Sequence, residues 1–237
     1  MKYPILLFDL DNTILDTKAN AEKALHRLSK QINFPFTDDQ IAYWHELNDG
    51  LWEKLERKEI KRDDLLNTRF ELYFDHFGKK VNGTKVNAAY LELFKLENIL
   101  MPHAKQVLDA LHQTHHIYAI SNGTKEKQYS QLTRSNLLTD FDDLYLSEDL
   151  GYQKPDPNFF KIVIDKIGID QQKMLVIGDS LTADISGANA AHLDSVWFNP
   201  KEIANQTTLK QLMRSKAWSN CSAYQNNYLY KNGVHID

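Results

Sequence analysis

The chain has 237 residues, of which 42% are hydrophobic and 25% are charged. This composition is typical of a globular protein and excludes a disordered or fibrous one. The net charge of −4, without long blocks of like charge, argues against a nucleic-acid polymer or an anionic membrane as partner. No apolar run approaches the roughly 20 residues of a membrane span, and the single cysteine, Cys221, excludes an internal disulfide. We therefore expect a cytoplasmic protein without a signal segment.

Short apolar runs predict the strands of a buried sheet. The first run, Tyr3–Phe8, ends directly before Asp9. Four similar runs follow: Ile117–Ile120, Leu144–Leu146, Met174–Ile177 and Ser195–Phe198. Segments with helical apolar spacing lie between them. Strands that alternate with helices predict an α/β fold built on a doubly wound parallel sheet.

The interval between the first two predicted strands is too long for one crossover. Asp9 and Ile117 are 108 positions apart, whereas a strand-helix-strand unit takes about 30 residues. Apolar spacing inside the interval is helical. We therefore predict a core of residues 1–16 and 100–200, interrupted by a helical cap of residues 17–99. A C-terminal extension, residues 201–237, is predicted to carry a short helix near Leu209–Met213 and a hairpin around Asn232-Gly233.

Polar residues follow the predicted strands at the positions where chemistry is expected. In open α/β sheets the ligand lies beyond the carboxyl ends of the strands. The polar residues found there are Asp9, Asp11, Thr13, Ser121, Asn122, Lys154, Asp179 and Asp184. Each has a simple explanation as a turn or helix-cap residue. A cluster of acids at the ends of adjacent buried strands is nevertheless costly unless a cation is bound.

Four motifs in this order resemble those of the haloacid dehalogenase (HAD) superfamily of phosphohydrolases. They are Asp9-Leu10-Asp11-Asn12-Thr13, Ser121-Asn122-Gly123, Lys154-Pro155-Asp156-Pro157, and Gly178-Asp179-Ser180 with Asp184. Together they span almost the whole predicted core. The resemblance implies a Rossmann-like core with a cap inserted between the first and second motifs, where the spacing already predicts an insertion.

The resemblance also implies a role for each residue. Asp9 would attack phosphorus and form an aspartyl-phosphate, and Asp11 would serve as general acid and then as general base. The groups implied to bind phosphate are Thr13, Ser121, Asn122 and Lys154. Magnesium would be held by Asp9, the Asp11 carbonyl and Asp179, with Asp184 in support.

Charge counting favours a metal independently of the family. With Asp11 protonated, the ionised carboxylates of Asp9, Asp179 and Asp184 exceed the charge of Lys154 by two units, and they would face a phosphate dianion. At an effective dielectric of about 20, each unit pair near 4 Å is worth roughly 4 kcal/mol. One divalent cation would cancel this repulsion, so we expect an obligatory metal.

Several functional alternatives remain at this stage. Asp11 favours phosphate esters over haloacids, because an alkoxide leaving group needs a proton and a halide does not. A phosphomutase would use the same acid pair. The rivals from other classes are a receiver-like signalling domain phosphorylated on aspartate and a non-catalytic interaction module. The inserted helical unit argues against the first, and the intact motif set argues against the second.

The predicted cap indicates the substrate. The segment NDGLWEKLERKEIKRDDLLNTRF resembles the pyrimidine 5′-nucleotidase subfamily and, less distinctively, relatives of N-acylneuraminate-9-phosphatase. The resemblance implies a small phosphomonoester substrate, above all a pyrimidine nucleoside monophosphate, hydrolysed by a monomer or homodimer. Asn48, Trp52 and Arg69 are the predicted specificity residues. Aromatic residues at helical spacing either stack on the base or form the cap's own core, which is the commoner case. They are Trp44, Trp52, Phe70, Tyr73, Phe74 and Phe77.

Overall fold

The computed structural model describes residues 2–200, residue 202 and the backbone of residues 213–215. Contacts within the chain divide it into two units. One contains the residues up to Asp16 together with Leu100 and the residues after it, and the other is Thr17–Ile99. No helix among the described residues is both long and apolar enough to cross a membrane.

The first unit is built on a six-stranded parallel sheet with the order β3-β2-β1-β4-β5-β6. Its strands are β1 (Ile5–Phe8), β2 (His116–Ser121), β3 (Asp143–Leu146), β4 (Met174–Gly178), β5 (Asp194–Phe198) and β6 (Met213–Ser215). Its helices are α5 (Ala104–His112), α6 (Lys125–Arg134), α7 (Ser147–Leu150), α8 (Pro157–Ile167) and α9 (Ser186–Ala190). A π-helical turn, Leu181–Ile185, precedes α9. The predicted fold class and all five predicted strands are confirmed.

The central strand β1 is buried on both faces, as its uninterrupted apolar sequence predicts. Leu6 and Phe8 belong to one hydrophobic cluster, and Ile5 and Leu7 belong to another. Side chains alternate across a strand, so the two clusters lie on opposite faces of the sheet. The helix α5 contributes to the first cluster and α8 to the second, which gives the doubly wound arrangement.

The strand order places a crevice at the middle of the sheet. The chain runs outward from β1 to β2 and β3, then returns to add β4 on the other side of β1. Ligands of open α/β sheets bind at such a reversal, beyond the carboxyl ends of the strands. Asp9 directly follows β1, and Asp179 directly follows β4. The first and fourth sequence motifs therefore meet at this point.

The second unit is a helical bundle with an aromatic core. Its helices are α1 (Thr17–Ile32), α2 (Asp38–Glu56), α3 (Arg62–His76) and α4 (Gly83–Phe94). Trp44 of α2 stacks on Phe70 of α3, with their ring centroids 4.3 Å apart. Tyr73 and Phe74 are also fully buried in the same cluster. These four aromatic side chains form the unit's own core, which was the commoner of the two alternatives.

The C-terminal extension departs from the sequence prediction in one respect. Met213 begins the strand β6, which pairs in parallel with β5, whereas the sequence analysis expects a helix that includes this residue. The remaining residues of the expected helix and the whole expected hairpin lie outside the described residues.

Candidate active site

Asp9 lies at the end of β1 with its side chain buried. Its backbone N–H continues the sheet by donating to the carbonyl of Ile177, at 2.8 Å. One carboxylate oxygen, Oδ1, accepts a hydrogen bond from Lys154 Nζ at 2.7 Å. The other oxygen, Oδ2, is buried and has no hydrogen-bond partner within the described part of the chain. A buried carboxylate oxygen without a donor is unfavourable unless a ligand completes it.

Lys154 is the cation at the centre of the cluster. Its side chain is 2% exposed. Its ammonium group donates to Asp9, to Asp184 Oδ1 at 2.6 Å and to the Ile120 carbonyl at 2.9 Å. These three contacts use all three ammonium protons. The contact with Asp184 is not among those predicted from the sequence.

Three carboxylates lie close enough to share a metal ion. One ligand oxygen from each of Asp9, Asp179 and Asp184 lies within 4.8 Å of the others. Asp184 is buried, and its Oδ2 accepts from the Ser180 N–H at 3.1 Å. Position 178, beside Asp184, is occupied by glycine, and a Cβ at this position would overlap the Asp184 side chain. The site therefore has an excess of negative charge that one divalent cation would balance.

The pKa values reflect this crowding of charge. Burial raises the pKa of Asp9 to about 7, and Asp184 adds to the rise while Lys154 opposes it. Burial and the neighbouring carboxylates Asp9 and Asp184 raise the pKa of Asp179 well above its ordinary value. Burial alone would lower the pKa of Lys154, but Asp184 and Asp9 outweigh it and raise that pKa. These raised pKa values favour the protonated forms of Asp9 and Asp179, and a bound cation would favour their ionised forms.

The predicted phosphate-binding residues lie at the same edge of the sheet. Ser121 ends β2, and its Oγ accepts from the Gly123 N–H at 2.9 Å. Thr13 is fully buried in the turn after β1. Asn122 makes a reciprocal pair with the Lys154 backbone, donating from Nδ2 and accepting at Oδ1, both at 2.8 Å. The Asn122 side chain therefore fixes the loop that carries the lysine, a contact that its predicted role in phosphate binding does not include.

Asp11 is held by two residues that the sequence analysis does not identify. Lys127 Nζ forms an ion pair with Asp11 Oδ1. Gln128 Nε2 donates to Asp11 Oδ2 at 2.6 Å. Both residues lie on α6 and are buried. The signal available in the sequence is the spacing of Lys127, Gln128 and Gln131, which places three long polar side chains on one helix face.

A third unanticipated residue is Trp197 of β5. Its indole N–H donates to the backbone carbonyl of Asp179 at 2.8 Å. Because Trp197 lies on the neighbouring strand, this contact fixes the turn in which the Asp179 carboxylate is presented. Its sequence context, VWF, reads only as a buried strand.

The predicted specificity residues lie in the helical unit. Arg69 is 4% exposed, and it forms no ion pair within the described residues. Its Nε donates to Asn87 Oδ1 at 2.7 Å, and its Nη1 donates to Asn48 Oδ1 at 3.1 Å. Its Nη2 is buried and has no hydrogen-bond partner in the described part of the chain. Burial lowers the pKa of this guanidinium to about 10.

Aromatic rings surround the Arg69 guanidinium. Its central carbon lies 5.4 Å from the ring centroid of Trp44 and 5.1 Å from that of Tyr90. Contact with aromatic faces compensates part of the desolvation of the cation. Trp52 is separate from this group: it packs against a smaller apolar cluster, and Arg62 lies over its ring at 5.7 Å. The structure thus brings Asn48 and Arg69 together and leaves Trp52 apart from them.

The fold and the four strand-end motifs define a hydrolase of the HAD type. A sequence profile of the haloacid dehalogenase-like hydrolase family matches residues 3–192. The chain belongs to this family, and the predicted superfamily is confirmed. A receiver-like signalling domain is thereby excluded as the explanation of the acidic cluster.

Three proteins of similar sequence have the following identities to this chain. The chain is 37% identical over 200 residues to the HAD-hydrolase YfnB of Bacillus subtilis, covering 84% of this chain and 85% of YfnB. It is 37% identical over 209 residues to the pyrimidine 5′-nucleotidase PynA of Streptococcus pneumoniae, covering 87% and 88%. It is 32% identical to the ribulose-1,5-bisphosphate 5-phosphatase of Halopiger xanaduensis, covering 85% and 87%.

A crystal structure of YfnB bound to magnesium provides the structural comparison. It superposes with a TM-score of 0.91 and 33% identity over the structural alignment, covering 95% of this chain and all of that one. The resemblance therefore extends through both units of the chain.

Proposed function

We propose that the protein is a magnesium-dependent phosphomonoesterase that works through an aspartyl-phosphate on Asp9. The observation that carries the proposal is the state of the Asp9 carboxylate. One oxygen is fixed by Lys154, while the buried Oδ2 has no partner among the described residues. A nucleophile needs an oriented oxygen that is not occupied by a strong donor. The similarity to the 5′-nucleotidase PynA supports a phosphate ester as the substrate.

The acidic cluster fits a magnesium ion. Carboxylate and carbonyl oxygens are the protein ligands this ion takes. We assign it to Asp9, Asp179 and the Asp11 backbone carbonyl, with Asp184 in a supporting position that suits its contacts with Lys154 and Ser180. When bound, the ion would neutralise charge on the phosphate and on the surrounding carboxylates.

The reaction then follows from the chain's own residues. Asp9 attacks phosphorus, a bond forms between its oxygen and phosphorus, and the bond from phosphorus to the ester oxygen breaks. Asp11 gives a proton to the departing oxygen, takes one from a water molecule that attacks the aspartyl-phosphate, and so returns to its first state. Release of inorganic phosphate restores the Asp9 carboxylate. Lys154, Ser121, Thr13 and the Asn122 loop hold Asp9 and the phosphoryl oxygens during both steps.

For the substrate we propose pyrimidine nucleoside 5′-monophosphates, recognised by the unit Thr17–Ile99 acting as the cap. Arg69 can only donate, so Asn48 must turn its oxygen toward Arg69 and its amide NH₂ elsewhere. A half-buried NH₂ held in this way is suited to the carbonyl oxygen that every pyrimidine base carries at position 2. Trp52, which is also half-buried, is the proposed stacking partner.

A second candidate substrate class is the sugar phosphates. The 32% identity to a ribulose-1,5-bisphosphate 5-phosphatase supports it, and the resemblance to N-acylneuraminate-9-phosphatase relatives points in the same direction. Both candidates use the same core chemistry and differ only in what the cap contacts.

A phosphate-release panel tests the proposal. It contains pyrimidine and purine nucleoside monophosphates, ribulose 1,5-bisphosphate and N-acylneuraminate 9-phosphate, each with magnesium and with excess chelator. We expect the highest kcat/KM for uridine, deoxyuridine or thymidine monophosphate, and at least a roughly 100-fold loss in chelator, because the uncompensated carboxylates then repel the phosphate. A preference for a sugar phosphate would overturn the nucleotidase assignment alone. Full activity in chelator would overturn the metal dependence.

A further inference from the structure

We propose that Lys127, assisted by Gln128, is a positioning residue that fixes the carboxyl group of Asp11 for proton transfer to the leaving oxygen. The inference rests on the proposed function, because it assumes that Asp11 is the general acid of a phosphomonoesterase. It adds a part that the four strand-end motifs do not contain, since both residues come from the helix α6.

The first observation is that α6 contacts both oxygens of one carboxyl group. Lys127 pairs with Oδ1, and Gln128 Nε2 donates to Oδ2 at 2.6 Å. Two donors on different oxygens fix the plane of a carboxyl group as well as its position. Each carboxyl oxygen can accept twice. These two contacts therefore orient the Asp11 carboxyl group from α6.

The second observation is that Lys127 is buried where a lysine would normally be exposed. Its side chain is 7% exposed, whereas that of Lys125, two residues earlier on the same helix, is 54% exposed and pairs with Asp149. An ammonium group is strongly hydrated, and burial costs several kcal/mol unless a partner compensates it. Asp11, the proposed general acid, is a charged partner of Lys127 and compensates part of this cost.

The third observation links the same helix to the phosphate-binding edge. Gln128 Nε2 also donates to Ser121 Oγ at 2.7 Å. A Cβ on Gly123 would overlap the Gln128 side chain, so glycine at this position gives the glutamine room to reach Asp11. Gln128 therefore spans the general acid and a proposed phosphate-binding hydroxyl. Because a change of Gln128 would disturb both, Lys127 is the better residue to test.

The test uses two substrates that differ by one methylene group, p-nitrophenyl phosphate and p-nitrobenzyl phosphate. The nitrophenolate anion leaves without a proton, whereas the nitrobenzyl alkoxide needs one. We compare Lys127→Met with the wild type in the presence of magnesium. The value of kcat/KM should fall about 30- to 100-fold for the benzyl ester and no more than about 3-fold for the phenyl ester, because displacement of a catalytic group by about 1 Å can cost 10²-fold.

Three further variants make the result specific. Asp11→Asn should show the same selective loss, larger in size. Lys127→Arg should recover most of the benzyl-ester activity, because it restores a charged donor. Lys125→Met, the matched control from the exposed side of α6, should change neither ester by more than about 2-fold. Should Lys127→Met fail to fold, Lys127→Gln keeps a donor in the buried space and should show a smaller loss with the same selectivity.

Equal losses on both esters, or no loss on either, would overturn the positioning role and leave the phosphomonoesterase proposal intact. Failure of the wild type to hydrolyse either ester or any substrate of the panel would instead overturn the proposed function. A loss confined to the benzyl ester supports both.

Discussion

Lys154 in the sheet unit and Arg69 in the helical unit are both buried cations, but the groups that they contact differ in charge. Lys154 in the sheet unit is 2% exposed and contacts two carboxylates, which raise its pKa. Arg69 in the helical unit is 4% exposed and contacts two neutral amides, and burial lowers its pKa to about 10. The contacts of Lys154 are therefore negatively charged, whereas those of Arg69 are uncharged.

The difference indicates what each region lacks. We propose that a cation and then a phosphate complete the carboxylate cluster around Lys154. The Arg69 group, with one donor nitrogen unused in the described residues, is suited to an uncharged or anionic acceptor. The cost of burying a charge can therefore be balanced by opposite charge, as at Lys154, or by dipoles and aromatic faces, as at Arg69.

The largest expected effect, a loss of activity, comes from changing Asp9 in the carboxylate cluster around Lys154. Asp9→Asn keeps the size of the side chain but replaces the nucleophilic oxygen with an amide. We expect kcat to fall by at least about 10⁴-fold, because loss of the nucleophile of a covalent mechanism can cost about 10⁶-fold in kcat. Phosphate release from the best substrate of the panel measures it. The control is Asp165→Asn, at an exposed position on α8, and residual activity above about 1% for Asp9→Asn would contradict the assigned role.

Removing the cation from the carboxylate cluster should have the next largest effect, seen in stability. Lys154→Met leaves Asp9 and Asp184 buried together without a charged donor. We expect the free energy of unfolding at pH 8, without magnesium, to fall by about 3 to 5 kcal/mol. Urea denaturation measures it, with Lys161→Met as an exposed control.

The same variant should be strongly pH dependent. The pKa of Asp9 is already raised to about 7 by burial and by Asp184, against the attraction of Lys154, and without the lysine it should rise further. Between about pH 4 and that raised pKa, the folded state binds more protons than the unfolded state, so stability falls as pH increases. The loss caused by Lys154→Met should therefore be smaller at pH 5.5 than at pH 8. Equal losses at both values would contradict this electrostatic account.

The fold was predictable because its signals are local and periodic. The run Ile5–Phe8 is apolar at every position, which is typical of a strand buried on both faces. The long interval before β2 marks the helical insertion without any knowledge of packing. The sequence was less informative about Met213, because a three-residue strand is defined by its pairing with β5 and not by its own pattern.

The site was predictable only where it follows strand ends. Asp9 and Asp179 follow β1 and β4, so topology alone brings them together. Lys127 is 116 positions away from Asp11, and the spacing of polar residues in its helix does not reveal that Asp11 is its partner until the packing of α6 is known. The surroundings of Arg69 were not predictable for the same reason, since the aromatic residues around it come from three different helices. Contacts that depend on tertiary packing leave little trace in a single sequence.

The smallest expected effect, a change in the free energy of unfolding, comes from replacing Arg69, the buried cation of the helical unit. Arg69→Met keeps the length of the side chain and removes a buried charge that has no carboxylate partner among the described residues. The loss of the donor to buried Asn87 costs about 1 to 3 kcal/mol, and relief of the desolvated charge offsets part of it. We expect a net change in the free energy of unfolding of no more than about 2 kcal/mol in urea denaturation. Arg69→Ala, which also leaves a cavity, should cost more. A loss as large as that of Lys154→Met would show that the two buried cations are balanced alike, and the contrast between the two units would no longer stand.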